Sequence, residues 1–314
     1  MQVNTIGIRN TAIGQQALAS NTTGGSNTSV GYQSLINNTI GGFNNALGHR
    51  SLYNNISGNN NSAFGYNSLY YNTTNNNSAF GFRALETNTI GTYNTAIGAL
   101  SLLSNTTGNQ NTAVGYASLS SNTTATNNTA IGYAALNSNT IGINNTAVGT
   151  SSLQINVSGG ANSAFGHYSL LYNSGGSNNS AFGAGALQSN TTGDNNTAIG
   201  RNALYLNKTG ASNVAVGVSA LQSNTSGSAN NAFGYRSLYA NITGSNNSAF
   251  GHYALRDNTI GVNSAAFGYR ALRLNITGNR NTAVGKSAME NNLAGSNNSA
   301  FGYSALLNNT TDNN

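Results

Sequence analysis

A glycine returns at Gly14, Gly31, Gly48, Gly65, Gly81, Gly98 and onward to Gly302, each step seventeen residues except the sixteen between Gly65 and Gly81. The chain is one short module written about eighteen times, Asn-[Thr/Ser]-Ala-[Ile/Val/Phe]-Gly-x-x-[Ala/Ser]-Leu-x-x-Asn-x-x-Gly-x-x. A period this short cannot enclose a core of its own, so each copy must bury its apolar side chains against its neighbours. No linker or break of register divides the 314 residues, and they read as one continuous repeat domain, 1–314.

Each slot of the module is kept with little variation. The residue before the repeat glycine is large and apolar, from Ile13 to Phe301, and the one before that is alanine except at Ser29. Leucine follows four residues after the glycine, with Met289 the one exception. Asparagine follows seven after it in every copy: Asn21, Asn38, Asn55, Asn72, Asn88, Asn105, Asn122, Asn139, Asn156, Asn173, Asn190, Asn207, Asn224, Asn241, Asn258, Asn275, Asn292 and Asn309.

Helix is excluded by composition and spacing. Asn, Gly, Ser and Thr are weak helix formers, and no 3.6-residue apolar stripe runs through the repeat. Two short strands per coil are expected, Thr-Ala-Val-Gly and Ser-Leu-x-x, separated by turns. Among 60 Asn and 39 Gly there is no Asn-Gly pair, the strongest hairpin signal, so the strands are expected to stack in parallel between coils. The expected fold is therefore all-β, a parallel β-solenoid or β-roll of about eighteen coils. At a spacing of about 4.8 Å per coil it would extend roughly 85 Å.

Stacked asparagine amides can donate to and accept from the copies above and below, which gives the ladder its purpose. The second glycine of each copy, as at Gly24, Gly108 and Gly210, is expected to take a positive φ at a corner. The sixteen-residue coil lacks one residue between Thr74 and Asn77, in a turn that spares the strands. The absence of proline fits a ladder in which every strand donates to both sides. Alternation puts alanine and glycine on one face of the first strand and Ile/Val/Phe on the other; one face is expected to line the inside of the roll and the other to pack against a partner chain.

The Asn10–Gly14 and Asn111–Gly115 segments resemble the repeats of trimeric autotransporter adhesin heads. The longer string beginning at Asn128, Asn-Thr-Ala-Ile-Gly-Tyr-Ala-Ala-Leu-Asn-Ser-Asn-Thr, resembles repeat tracts of phage and large-virus tail-fibre-like proteins. The resemblance covers essentially the whole chain and departs from the adhesin repeat in its longer period. It implies a left-handed parallel β-roll, trimerisation, host attachment and a place on a virion surface or in an extracellular filament. The chain starts in mid-coil and stops at the same phase with Asn309-Thr-Thr-Asp312, so head-to-tail contact between copies is a further expectation, open beside that of a fragment.

The chemistry-bearing residues are sparse. The aromatic slot after the repeat glycine holds Tyr32, His49, Tyr66, Phe82, Tyr116, Tyr133, His167, Tyr235, His252, Tyr269 and Tyr303, and this row is the candidate interaction surface. Tyrosines offer an apolar face and a polar hydroxyl, a combination suited to sugar rings, and cell-surface glycans are the candidate ligands beside simple ladder stacking. The three histidines are separated by seven and five coils, roughly 34 and 24 Å at solenoid spacing, too far for one metal site. The acids Glu86, Asp194, Asp257, Glu290 and Asp312 are likewise dispersed, so no carboxylate pair arises for acid–base catalysis.

No phosphate loop, GxSxG or HExxH is present, and the expectation is a non-enzymatic chain without cofactor or metal. The net charge of +6 is spread about one residue per coil, unlike the dense stripe of a nucleic-acid binder. No run is apolar enough for a membrane span, no signal peptide is visible, and there is no cysteine. Sequons such as Asn21-Thr-Thr and Asn105-Thr-Thr follow from the repetition itself. Recurrent Thr beside the invariant Asn raises ice binding as a separate reading. The leading expectation is a rigid structural fibre or filament that assembles with its own copies; a glycan-binding adhesin is the alternative.

Overall fold

The computed structural model describes residues 3–311, which fall into two compact units divided between Ser158 and Gly159. Asp312 lies outside the described residues. The first unit holds nine strands, from β1 (Thr11–Ile13) to β9 (Thr146–Val148), and the second nine more, from β10 (Ser163–Phe165) to β18 (Ser299–Phe301). Within each unit every strand pairs in parallel with the strand of the next coil, residue on equivalent residue, as in Thr112↔Thr129, Ala113↔Ala130 and Val114↔Ile131. Each unit is thus a parallel β-solenoid, with no helix among the described residues.

Every strand is three residues long, typically a β-branched or hydroxyl residue, alanine, then a β-branched or aromatic residue. The repeat glycine ends it with a φ between +121° and +146°, a region closed to other residues. At Gly115 a Cβ would also lie 2.4 Å from the carbonyl oxygen of Gly132 in the next coil. Conformation and packing therefore both demand glycine at this beat.

The structure replaces the second expected strand with a chain of turns. The leucine slot takes a left-handed φ of 48–53° in all eighteen coils, and the residue two before it is left-handed as well, as at Ala117 (φ 51°) and Leu119 (φ 49°). These reversals aim successive amides at opposite neighbours. Ala117 N–H donates back to the carbonyl of Ala99 at 3.0 Å, and Leu119 N–H donates forward to that of Ala135 at 3.0 Å. The segment stays bonded to both adjacent coils without being β-strand.

The corner glycines also depart from expectation. Gly24, Gly108 and Gly210 are not left-handed. Their need is steric, because a Cβ at Gly24, Gly108 or Gly210 would sit 2.3–2.4 Å from the carbonyl oxygen of the equivalent corner in the next coil. Ala125 fills one such corner, and there the ladder contact from Asn139 to Asn122 stretches to 3.2 Å.

The core has an apolar half and an amide half. Ala113 and Leu119, like most of their equivalents, are completely buried. Asn122 is equally buried, and its Nδ2 donates to Oδ1 of Asn105 at 2.8 Å and to the corner carbonyl of Ala125 at 3.1 Å. Such rungs run from Asn21 to Asn156 in the first unit and from Asn173 to Asn309 in the second, at 2.7–3.2 Å wherever they close.

A second buried asparagine ladder stands just before the strands. Asn111 donates its amide to the same Ala125 carbonyl at 2.9 Å, while its Oδ1 accepts the backbone N–H of Asn128 at 3.0 Å. The corner carbonyl thus accepts two amide hydrogens, one for each lone pair. Buried amides satisfied in this way stabilise the core rather than burden it.

The short coil keeps the strands and loses a rung. β4 (Ser62–Phe64) pairs with β5 (Ser78–Phe80) in unbroken register. The corner is closed at Thr74, whose carbonyl accepts from Asn72 at 2.9 Å and from Asn61 at 2.6 Å. Asn72, drawn to that corner, does not reach Asn55, whose buried Oδ1 has no partner.

Candidate interaction surface

Because alanine, leucine and the two asparagines fill the interior, the large apolar residue at the end of each strand faces outward. In the second unit Phe165, Phe182, Phe250 and Phe267 remain 36–40% exposed. The rings of this row stack along the coil direction: Phe165–Phe182 at 4.9 Å, Phe233–Phe250 at 4.7 Å and Phe250–Phe267 at 5.0 Å, with interplanar angles of 6–7°. In the first unit Phe64 and Phe80 stack likewise at 4.8 Å. The alternation about the strand seen in the sequence is realised, and the structure decides what the alternation leaves open, with alanine inside and the large side chain outside.

The aromatic slot forms shorter runs. Tyr32, His49, Tyr66 and Phe82 stack successively at 5.1, 5.1 and 5.5 Å, and Tyr116 stacks on Tyr133 at 5.5 Å. Ala99 and Thr150 interrupt the row in this unit. In the second unit the arrangement is looser. His167 lies against Tyr168, Tyr235 meets His252 only in a tilted contact at 6.3 Å, and Tyr269 meets Tyr253 edge-on at 6.2 Å. Tyr303 carries the ammonium of Lys286 over its ring at 5.7 Å.

The acidic groups among the described residues are each engaged locally. Glu86 takes Arg83 and Asn67, Asp257 takes Arg256, and Glu290 takes Arg273 at 2.8 Å with Arg270 at 3.8 Å. Asp194 accepts the backbone N–H of Ser177 at 2.6 Å. The hydrogen bond to Asp257 holds the Arg256 guanidinium above its ordinary pKa, and burial, with Tyr53 close by, raises the Tyr70 phenol. Among the described residues no three His, Cys, Asp or Glu side chains gather as a metal site would require, and no helix is long and apolar enough to cross a membrane.

The threonine row beside the ladder asparagines turns its hydroxyl hydrogens inward. Thr22, Thr106 and Thr225 Oγ1 donate to the carbonyls of Thr39, Thr123 and Ile242 in the next coil at 3.0–3.1 Å. These donors reinforce the backbone stack and are not free to order water.

Sequence reasoning missed two features. The pre-strand asparagines were visible as a repeat slot, and the argument applied to the other ladder applies equally to them. A depression in the second unit, described below, had its signal in the consecutive small residues Ala184 and Gly185. No protein-family model and no curated protein sequence matches this chain.

Proposed function

We propose that the chain is a non-enzymatic structural protein whose β-solenoid coils associate with further copies into a fibre or filament, outside the cell or on a virion. The observation that carries this reading is the outward apolar row. Alanine, leucine and asparagine fill the interior, while Phe165, Phe182, Phe250 and Phe267, stacked along the coils, are each left about two-fifths exposed. A contiguous apolar surface of this kind is characteristic of a face covered by another protein surface. The ladders of backbone and asparagine hydrogen bonds would give the assembly its stiffness, and its repeated rows would make weak contacts multivalent.

Negative-stain imaging together with mass measurement of the purified chain tests the proposal. Fibres or discrete homo-oligomers are expected; single monomers at every concentration would refute it. A second reading, attachment through glycans, is favoured by the continuous Tyr32–His49–Tyr66–Phe82 stack. It requires glycan-array binding that disappears when Tyr32 and Tyr66, members of that stack, are replaced by alanine.

A further inference from the structure

In the second unit the repeat opens a notch by leaving side chains out. In the coil between His167–Tyr168 and Arg201–Asn202, the aromatic slot holds Ala184 and the next slot Gly185, where each other coil carries a side chain. The missing groups open a notch of about 420 Å³, within the roughly 300–1,000 Å³ typical of small-ligand sites. Asn202 leans into the vacated space, its Oδ1 2.6 Å from where a Cβ on Gly185 would stand.

Two kinds of group line the notch. His167 and Tyr168 form a tilted ring pair with centroids 3.6 Å apart, and Tyr205 adds a third ring. Arg201 and Gln188 line it as well, with Asn202. Arg201 is exposed and, among the described residues, its guanidinium has no ion pair or hydrogen-bond partner in the molecule. A guanidinium presents a planar fork matched to a carboxylate. Side-chain amides and phenols, for their part, pair with hydroxyl groups on a ligand that also offers an apolar face.

We propose that this notch binds a carboxylated pyranose, a uronic or sialic acid residue of a polysaccharide, with Arg201 on the carboxylate and Tyr168 or Tyr205 against the ring. An acidic peptide would satisfy Arg201 but leave the rings and amides without matching hydroxyls. A neutral sugar would leave Arg201 unpaired. The site is distinct from the aromatic stack of the first unit and does not depend on fibre formation.

The test is titration of the full chain, by calorimetry in 0.15 M salt, with sialyllactose, a hyaluronan tetrasaccharide, neutral lactose and poly-glutamate. At least one acidic saccharide is expected to bind ten-fold or more tighter than lactose and poly-glutamate. Arg201→Gln should weaken it at least ten-fold. The double variant Ala184→Tyr/Gly185→Asn restores side chains that other coils carry at these slots, fills the notch, and should abolish binding with an unchanged circular dichroism spectrum and melting temperature. The proposal fails if no acidic saccharide binds, if poly-glutamate binds as well as the sugars, or if the filled-notch variant, folded, binds like the parent chain.

Discussion

Asn122 illustrates how much of this structure depends on single buried amides. Its Nδ2 holds the preceding coil through Asn105 and its own corner through Ala125, while its Oδ1 receives Asn139. Asn122→Ala removes one polar group and leaves the other buried partners short, a defect of about 1–3 kcal/mol. Denaturant unfolding should show that loss, whereas Thr124→Ala, at a solvent-facing neighbour, should change stability little. A loss no greater than that of the control would mean the rung contributes nothing. The left-handed positions make a second case. Nine coils place asparagine at the left-handed residue before the pre-strand slot, as at Asn127 (φ 60°), and Ala229 occupies the same position at φ 56°. Alanine is strained there by about 1 kcal/mol, a cost glycine avoids. Ala229→Gly is therefore expected to raise the melting temperature although it adds no contact, and a lower melting temperature would contradict the strain argument.

The coil is the element on which stability is decided, and the sixteen-residue coil is its natural experiment. Its strand pairing is intact, yet Asn55 Oδ1 is left buried without a donor because the shortened corner draws Asn72 away. Inserting one glycine between Thr74 and Asn75 restores the seventeen-residue spacing and should return the rung from Asn72 to Asn55, a gain of about 1–3 kcal/mol. Thermal unfolding of the insertion variant checks it; no gain would show that this corner has relaxed around its own length. The same coil shows what the sequence made legible. Period, parallel stacking, the alternation of alanine with a large apolar residue, the leucine slot and the asparagine ladder follow from slot-by-slot comparison, because each reflects a side chain repeated at one phase. The left-handed turns at Ala117 and Leu119 do not follow, because leucine is an unfavourable residue for that conformation and only the stacked backbone imposes it. The corner glycines were recognised as necessary for the wrong reason, since the obstacle is the next coil's carbonyl rather than their own φ. The notch at Ala184 and Gly185 is not marked by any insertion in the repeat, because it arises by subtraction.

For the molecule, the division between inside and outside separates stability from association. Within each unit a strand pairs only with strands of adjacent coils, so stability accumulates from local interfaces and no distant contact locks the fold. The outward row contributes to those interfaces through ring stacking and its half-buried side chains, but it lies outside the alanine, leucine and asparagine interior. It can therefore be changed without removing the interior, which rests on Ala164, Leu170 and most of their equivalents, fully buried. Replacing Phe165, Phe182, Phe250 and Phe267 together with threonine keeps a β-branched residue at the end of each strand. It also removes the apolar surface that the proposed assembly would cover. Sedimentation velocity across a hundred-fold concentration range should show the parent chain associating and the fourfold variant sedimenting as a monomer, with the same far-ultraviolet circular dichroism. If the folded variant associates as strongly as the parent, lateral contact does not run through this row, and the apolar face has some other occupant.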